Sequence, residues 1–236
     1  MRIADCNWMQ IERYLEHDDR VVLPLGSVEQ HGYLSLAVDA ILSERVAVEA
    51  AEPLDVPVMP ALAYGLTPYF AAYPGSPTLR VETYQAVIHD LLESLYGQGF
   101  RRFLLVNGHG GNDAGRTSCE AVEAEHPDAR VQWHNWWNAP RTWEVVQEID
   151  PDASHASWLE NYPWTRLEGI EQPDERKPMQ DISRMRSLDP TDVRAMLGDG
   201  SLGGRYERPD EDVLRVWQAG VEEVRDVLDR GWDRGA

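Results

Sequence analysis

Short apolar runs alternate along the chain with longer stretches in which apolar residues recur every three or four positions. The runs RVVLPLG, VPVMPALAYG, RRFLLVNGHGGN and RVQWHNWWN predict strands, although prolines weaken the second of them. The stretches that follow them predict helices over residues 39–54, 81–100, 113–129 and 209–232. This alternation favours an α/β fold, in which helices cover both faces of a mostly parallel sheet.

Length and composition favour one globular domain. The chain has 236 residues, of which 42% are hydrophobic, and we expect a single domain over residues 1–236. The polar segment from about 165 to 209 is rich in proline, aspartate and glycine and predicts an irregular excursion within that domain. No apolar run approaches the roughly 20 residues that span a bilayer, and the N-terminus lacks a signal-peptide pattern. The two cysteines of the chain fit no metal or disulfide pattern, so we expect a cytoplasmic location.

The charge balance of the chain is strongly acidic. Asp and Glu number 41 against 22 Lys and Arg, which gives a net charge of -19, and Lys177 is the only lysine. Such a surface repels nucleic acid and anionic membranes, so we expect neither as a partner. The acids are spread along the chain and are not confined to a tail. We therefore predict a protein of a halophilic organism, in which cytoplasmic salt screens the self-repulsion.

Polar clusters follow two of the predicted strands. Glu29 and His31 come after the first strand, and NGHGGN, with His109 at its centre, ends the third. Because sites in open α/β sheets form at the carboxyl ends of strands, we expect these side chains to meet, with Asp39 near the start of the next helix. Imidazole and carboxylate groups are ligands for zinc or manganese, and a carboxylate between two such ions can bridge them.

Each of these signals alone has a simpler explanation. NGHGGN could form a tight strand-to-helix turn or an anion-binding loop at a helix N-terminus, and Asp39 could be a helix N-cap. Glu29 and His31 form a pair that is common on protein surfaces. Their occurrence together at two strand ends favours the metal site. The chain has neither the Gly-Lys-Ser/Thr of a phosphate loop nor the His-Glu-x-x-His helix of common zinc proteases.

The segment PLGSVEQHG with a following aspartate, together with NGHGGN, resembles the creatininase (creatinine amidohydrolase) family. The similarity extends over nearly the whole chain and includes AAYPGSPTL, SHASWLENYPW and the Gly-rich turn LGDGSLGG. The resemblance implies a three-layer α-β-α sandwich with a mostly parallel central sheet. It also implies two divalent ions per chain, Zn²⁺ or Mn²⁺, hydrolysis of amide-type C–N bonds outside ordinary peptides, and a homo-oligomer, a hexamer built as a trimer of dimers.

The resemblance assigns roles to the candidate residues. Glu29 and His109 would bind one ion and His31 the other, with Asp39 bridging the two. A metal-bound hydroxide would attack a carbonyl that one ion polarises. His155 would be a proton shuttle to the leaving nitrogen, since the ordinary pKa of histidine, about 6.5, suits that task. An ordinary surface-loop histidine is the simpler alternative for His155.

Three departures from the family pattern concern the surroundings of the ions. In creatininase itself a glutamate follows the motif histidine by two residues, but Gly111 occupies that position here. The resemblance supplies Glu160, from a His-x4-Glu element, as the replacement ligand. The bridging aspartate follows the motif glutamate by ten residues, one fewer than usual. Tyr33 and Leu34 stand where the family usually has a second histidine. The resemblance therefore defines the substrate less well than it defines the reaction.

Substrate-binding residues are expected at the same end of the sheet. Most of the nine tryptophans are expected in the core or in subunit contacts, but Trp136 and Trp158 are candidates to stack on a flat or cationic substrate. Ser76 of the AAYPGSPTL loop is a further candidate, together with Gly110 and Gly111 of the histidine motif.

The expected function is a metal-dependent amidohydrolase that acts on creatinine or on a related small amide, such as a lactam or formamide. Two alternatives lie in the same class of enzyme: a formamide deformylase acting on a pyrimidine intermediate of flavin or deazaflavin synthesis, and a peptidase that trims a mycofactocin-type precursor peptide. The remaining alternative is a catalytically silent binding or assembly protein. The intact set of Glu29, His31, Asp39 and His109 disfavours that alternative.

Overall fold

The centre of the fold is a sheet of three parallel strands. In the computed structural model, which describes residues 1–232, these are β1 (Arg20–Leu25), β2 (Arg102–Asn107) and β3 (Arg130–Asn135), in the order β1-β2-β3. The register pairs Leu25 with Asn107 and Asn107 with Asn135, so the three strands end together. The loops that leave this common edge carry the candidate ligands.

Helices cover both faces of the sheet. The α-helices within residues 1–232 are α1 (Trp8–Leu15), α2 (Val38–Ala51), α3 (Val81–Gln98), α4 (Arg116–Glu125), α5 (Pro140–Ile149), α6 (Ile182–Met185), α7 (Pro190–Leu197) and α8 (Asp210–Arg230). Among them, none is both long and apolar enough to cross a membrane.

Alternate strand residues enter two separate cores. Val22, Leu104 and Val106 are buried in one core with residues of α2, α5 and α8. Val21 and Phe103 are buried in the other core with residues of α1, α3 and α4. Because successive strand residues point to opposite faces, the sheet is the middle of three layers. This confirms the predicted α-β-α sandwich with a parallel sheet.

Most of the predicted elements are confirmed. The exception is VPVMPALAYG, which forms only isolated parallel bridges, from Val58 to Arg2 and Val22 and from Leu62 to Leu25, because its prolines lack the N–H groups that a strand ladder needs. The sequence pattern missed α1 and α5, although Asn7 and Gln10 form a capping box at the start of α1. The polar segment 165–209 contains the short helices α6 and α7 between irregular turns. The predicted domain 1–236 extends beyond the described residues by its last four.

Candidate metal centre

Six side chains meet beyond the carboxyl ends of β1 and β2. They are the carboxylates and imidazoles that the sequence predicted, and each is buried or nearly so: Glu29 and His31 after β1, Asp39 in the first turn of α2, His109 after β2, and His155 and Glu160 between α5 and α6. The structure therefore brings together all five predicted ligands and the predicted proton shuttle.

The carboxylate of Asp39 lies between two histidines. One of its oxygens, Oδ1, is 3.1 Å from Nε2 of His31, and the other, Oδ2, is 3.0 Å from Nδ1 of His109. Glu29 Oε1 is 3.3 Å from the same nitrogen of His109, and Glu160 Oε2 is 3.8 Å from Nε2 of His31. Two groups of possible ligand atoms thus share Asp39, which is the arrangement of a bridging carboxylate, and a further group joins Glu29 and His31 with His155.

The two ligand histidines each have one ring nitrogen fixed by a main-chain carbonyl. Nε2 of His109 is 2.8 Å from the carbonyl oxygen of Leu66, and Nδ1 of His31 is 3.1 Å from that of Glu29. Because a carbonyl oxygen only accepts, these nitrogens carry the hydrogen. The opposite nitrogens face the carboxylates. Metal-bound histidines are oriented in the same way.

The donor set fits divalent cations. Glu29 is 1% exposed, and its Oε2 atom makes no hydrogen bond to any described residue. Within residues 1–232 no arginine or lysine pairs with Glu29, Asp39 or Glu160, so the positive charge near these carboxylates comes from histidine alone. Three carboxylates and two oriented imidazoles match the ligand preferences of Zn²⁺ and Mn²⁺.

Without a cation the site balances its charge with protons. Burial raises the pKa of Glu29 and raises that of Glu160 to about 7. Burial disfavours the charged form of His31, but the carboxylates, that of Asp39 first, outweigh it and raise the pKa of His31 to about 10. Glu29 and Asp39 likewise overcome burial and raise the pKa of His109. Burial also disfavours the charged form of Asp39, yet the positive charge of His31 outweighs it and lowers the Asp39 pKa.

Short polar contacts hold these ligands at the strand ends. The hydroxyl of Ser27 donates to Oδ2 of Asp39 over 2.7 Å. Gly108 lets the first turn of α2 approach β2, since a Cβ atom there would lie 2.7 Å from the carbonyl oxygen of Asp39. The side chain of Asn112 donates to the carbonyl of Gly26 over 3.0 Å and accepts from the N–H of Leu66. Both sequence motifs therefore contain residues that position ligands without being ligands.

Gly111 has no room for a side chain. A Cβ atom there would overlap the carbonyl oxygen of Leu66 and Nε2 of His109. The carboxylate of Glu160 instead reaches the ligand group of His31 from a short 3-10 turn, Trp158–Glu160, and accepts a hydrogen bond from the N–H of Ala156 over 2.6 Å. The geometry is consistent with Glu160 in the role of the missing glutamate.

His155 faces the same cluster and is not a surface histidine. Its Nδ1 atom lies 3.6 Å from Oε1 of Glu29, and its ring stacks on Phe70 with a centroid distance of 4.7 Å. Burial, reinforced by the nearby charge of His31, holds the pKa of His155 well below its usual value. The ring is therefore neutral at physiological pH. The stacking partner Phe70 gave no signal in the sequence.

The predicted substrate-binding residues have different surroundings. Trp136 and Trp158 are 2% and 0% exposed and belong to the core beside α2 and α8, so neither ring offers a face to a substrate in this structure. Ser76 is buried next to the site, where its hydroxyl accepts from the N–H of Gln30 over 2.9 Å. Exposed Gly110 lies beside half-buried Trp137, a tryptophan that the sequence prediction passed over.

Comparisons with known proteins give a consistent picture. The family model described as creatinine amidohydrolase matches residues 4–231. The creatinine amidohydrolase of Pseudomonas putida is 28% identical over 166 residues, 64% of this chain and 63% of that protein. The mycofactocin precursor peptide peptidase of Mycolicibacterium smegmatis is 28% identical over 141 residues, 48% of this chain and 57% of the peptidase. The matches thus span less than two thirds of either relative.

Solved structures share the fold over almost the whole chain. A crystal structure of creatinine amidohydrolase (creatininase) superposes with a TM-score of 0.82 at 21% identity, covering 99% of this chain and 98% of that one. A creatininase variant of Zn-Zn type superposes with a TM-score of 0.78 at 22% identity, covering 99% of this chain and 98% of that one. A manganese creatininase superposes with a TM-score of 0.79 at 22% identity, covering 99% of each chain. At 21–22% sequence identity, the similarity to these structures establishes the fold of the chain.

Proposed function

The chain belongs to the creatininase family, and from this premise we propose that it is a hydrolase that cleaves the C–N bond of a small, non-peptide amide with the help of two divalent ions. The observation that carries the proposal is the position of Asp39, whose two oxygens serve separate ligand groups around His31 and His109. The relative from Pseudomonas putida supports a creatinine-like cyclic amide or related small amide as the substrate class.

Two Zn²⁺ or Mn²⁺ ions fit the two ligand groups. Glu29, Asp39 and His109 would hold one ion, and His31, Asp39 and Glu160 the other. Ions bound in such a site act as Lewis acids toward a carbonyl oxygen and lower the pKa of water. The likeness to zinc and manganese creatininases supports both metals as candidates.

His155 supplies the proton transfer that amide hydrolysis needs. The reaction forms a C–O bond from water and breaks the C–N bond, and the nitrogen leaves as an amine only after it has gained a proton. Because the ring of His155 is neutral, it can take the proton that water gives up and pass it to the nitrogen. Its stacking on Phe70 keeps the ring at the edge of the ligand cluster.

Small groups at the rim of the cluster are suited to orient an amide. The hydroxyl of Ser76 accepts from Gln30 and keeps its own hydrogen, with which it can donate to a substrate oxygen. Gly110 exposes its main chain next to His109, and the ring of Trp137 borders this position. These groups would orient the amide carbonyl toward the ion site.

The experiment is a metal analysis combined with a substrate screen. Purified protein is loaded with Zn²⁺ or Mn²⁺ and incubated with creatinine, other lactams, formamides and short peptides, and the released amine or acid is measured. The proposal expects two ions per chain and turnover of a small amide. Two bound ions with cleavage of peptides alone would favour the peptidase alternative, to which the mycobacterial relative points. Two bound ions without any turnover would favour a binding protein.

Membership of the creatininase family also supports a proposal about the oligomeric state of the chain. By resemblance to the family, the chain is proposed to form a homo-oligomer, a hexamer made as a trimer of dimers. Light scattering of the purified protein measures the mass in solution, which for a hexamer is six times the 26.8 kDa of the chain. A monomer at high protein concentration would contradict this part of the proposal.

A further inference from the structure

A separate cluster of possible metal ligands lies between helices α3 and α4. It consists of His89 and Glu93 of α3 and of Glu125, the last residue of α4. One ligand atom from each of these residues lies within 4.8 Å of the other two, and Nε2 of His89 is 3.8 Å from Oε2 of Glu125. Both helices end where the chain turns into β2 and β3. The cluster therefore lies toward the amino ends of the strands, away from the candidate metal centre at their carboxyl ends.

The spacing of the three side chains suits a single cation. His89 and Glu93 are four residues apart on one helix, so their side chains share a face, and α4 presents Glu125 to that face. Ligand atoms around a tetrahedral zinc ion, each bonded at 2.0–2.2 Å, are about 3.4 Å apart. Small rotations of these partly exposed side chains would bring the three atoms to that separation. Three protein ligands would leave the fourth position to water.

The charges around the cluster favour a cation. Glu93 and Glu125 bring two carboxylates together, and within residues 1–232 no lysine or arginine forms an ion pair with either of them. Glu125 also ends α4, where unpaired carbonyl groups carry partial negative charge that attracts cations and repels a carboxylate. The chain as a whole has a net charge of -19. A divalent ion bound here would offset this local repulsion.

A fourth side chain, His126, holds Glu93 in place. Its Nε2 atom lies 2.8 Å from Oε1 of Glu93, and its ring stacks on Tyr96 with a centroid distance of 3.8 Å. Tyr96 is fixed in turn, because its hydroxyl donates to Asp128 over 2.9 Å and the guanidinium of Arg101 lies 4.0 Å from its ring centroid. Carboxylates that bind metals are commonly held by such a second partner. Glu93 is therefore oriented before any ion arrives.

We propose that His89, Glu93 and Glu125 form a helix-pair site that binds Zn²⁺ and fastens α3 to the end of α4, with His126 as the residue that positions Glu93. One imidazole and two carboxylates are ligands that zinc accepts. The proposal does not rest on the proposed function. Because the three ligands are partly exposed and solvent screens their charges, this site binds zinc more weakly than the buried candidate metal centre. It fills only in excess free Zn²⁺ and empties when that excess is removed.

The test counts zinc ions by difference. Wild type, His89→Gln and Glu93→Gln are dialysed against the same micromolar excess of free Zn²⁺, and mass spectrometry of the metal gives the zinc content per chain. Wild type should hold one ion more than either variant, whatever number the candidate metal centre binds. Asp90→Asn is the matched control, since Asp90 is exposed on the same helix and belongs to none of the ligand groups formed by residues 1–232. It removes the same charge as Glu93→Gln and should leave the zinc content unchanged.

His126→Phe tests the positioning role. Phenylalanine can keep the stacking on Tyr96 but cannot contact Glu93 through a ring nitrogen. The zinc affinity of the helix-pair site should therefore fall roughly 10–10²-fold, the usual cost of losing such a partner. A purely structural role for His126 would lower the melting temperature of the zinc-free protein and leave the affinity unchanged, and that result would overturn the positioning role.

Two further measurements locate the ion and its effect. Anomalous scattering at the zinc edge, from crystals kept in excess Zn²⁺, should place an ion between α3 and α4. Excess Zn²⁺ should also raise the melting temperature of wild type and Asp90→Asn more than that of Glu93→Gln, because an ion that binds only the folded chain stabilises it. Equal zinc contents in wild type and Glu93→Gln would overturn the proposal. So would an equal loss in Asp90→Asn, or a difference confined to millimolar free Zn²⁺, which would indicate an adventitious ion only. The difference of one ion decides the matter even if the chain hydrolyses nothing.

Discussion

Gly111 lies so close to Leu66 that a Cβ atom on the glycine would overlap the leucine's carbonyl oxygen. The approach is close because the same carbonyl accepts the hydrogen of His109 Nε2 over 2.8 Å, which orients the ring for the ion site. The loop therefore orients His109 with a contact that leaves no space for the glutamate present in creatininase itself. Under the proposed function, the carboxylate for a second ion would come from another segment, and Glu160 lies 3.8 Å from His31.

The first prediction is that Glu160→Gln lowers the metal content from two ions per chain to one. An amide is a weaker ligand than a carboxylate for a divalent cation, and the ligand group of His31 keeps only Asp39 as a charged partner. Inductively coupled plasma mass spectrometry after zinc loading measures the content. Glu168→Gln, an exposed change in the same segment, is the control. Two ions in both variants would show that Glu160 is not a ligand.

The second prediction is that Gly111→Glu does not restore a creatininase-like ligand. The new side chain would force the loop away from Leu66, and overpacking of this kind costs roughly 1–3 kcal/mol. Chemical denaturation measures the lower free energy of unfolding, and zinc titration the weaker binding. Gly110→Ala is the matched control, because its Cβ atom would meet only Trp137, at 3.9 Å. A stable Gly111→Glu protein with two tightly bound ions would contradict the prediction.

The proximity of the candidate ligands and the positions of the main helices could be predicted from the sequence because both depend on local signals. The helix periodicity located α3 and α8 to within about two residues. The two motifs lie directly after β1 and β2, and parallel strands with aligned ends bring such loops together. The positions of Glu29, His31 and His109 along the chain were therefore sufficient to predict that these side chains lie close together.

Other features depended on packing that the sequence pattern does not contain. Trp136 and Trp158 follow segments near the site, but their rings turn into the core, where Trp136 contacts Tyr162 and Trp217. Phe70 stacks on His155 from a loop far away in the sequence. Gln30 stood inside the quoted motif, yet its hydrogen bond to the carbonyl of Gly200, 170 residues away in the sequence, could not be predicted. Contacts between distant loops leave no periodic signal.

The third prediction concerns the proton shuttle. His155→Ala should keep both ions, because the ligand groups of Asp39 do not require the ring, while turnover of the substrate falls roughly 10²–10⁴-fold. Metal analysis and steady-state kinetics on the same preparation test both parts together. His134→Ala is a control, since His134 lies on β3 and in none of the ligand groups formed by residues 1–232. Loss of an ion in His155→Ala would identify His155 as a ligand.

The fourth prediction is that ion binding releases protons. In the metal-free chain the pKa of His31 is raised to about 10, so its ring is protonated at pH 7.5, and the carboxylates of Glu29 and Asp39 raise the pKa of His109 as well. An ion must displace the proton of His31, and its apparent affinity should rise with pH until His31 deprotonates near pH 10. Calorimetry in buffers of different ionisation enthalpy counts the released protons. His31→Gln should release fewer, and binding enthalpies that are equal in all buffers would contradict the prediction.

The last prediction is that molar salt stabilises the fold. With 41 acidic and 22 basic residues, 19 negative charges remain without a compensating lysine or arginine charge. Their mutual repulsion acts over a Debye length of about 10 Å at 0.1 M salt but only about 3 Å at 1 M. The melting temperature should therefore rise between low and molar potassium chloride.

A matched variant separates screening from a general effect of salt. Glu168, Glu171 and Glu175 are exposed and form no ion pair with described residues, so replacing all three by glutamine removes three negative charges without disturbing a core contact. If repulsion limits stability, the variant should melt at a higher temperature than the wild type in low salt, and the difference should shrink at molar salt. A melting temperature that stays flat or falls with added potassium chloride would contradict the prediction of a halophilic protein. An equal rise in both proteins, with no difference in low salt, would show that salt acts on the fold by a route other than these charges.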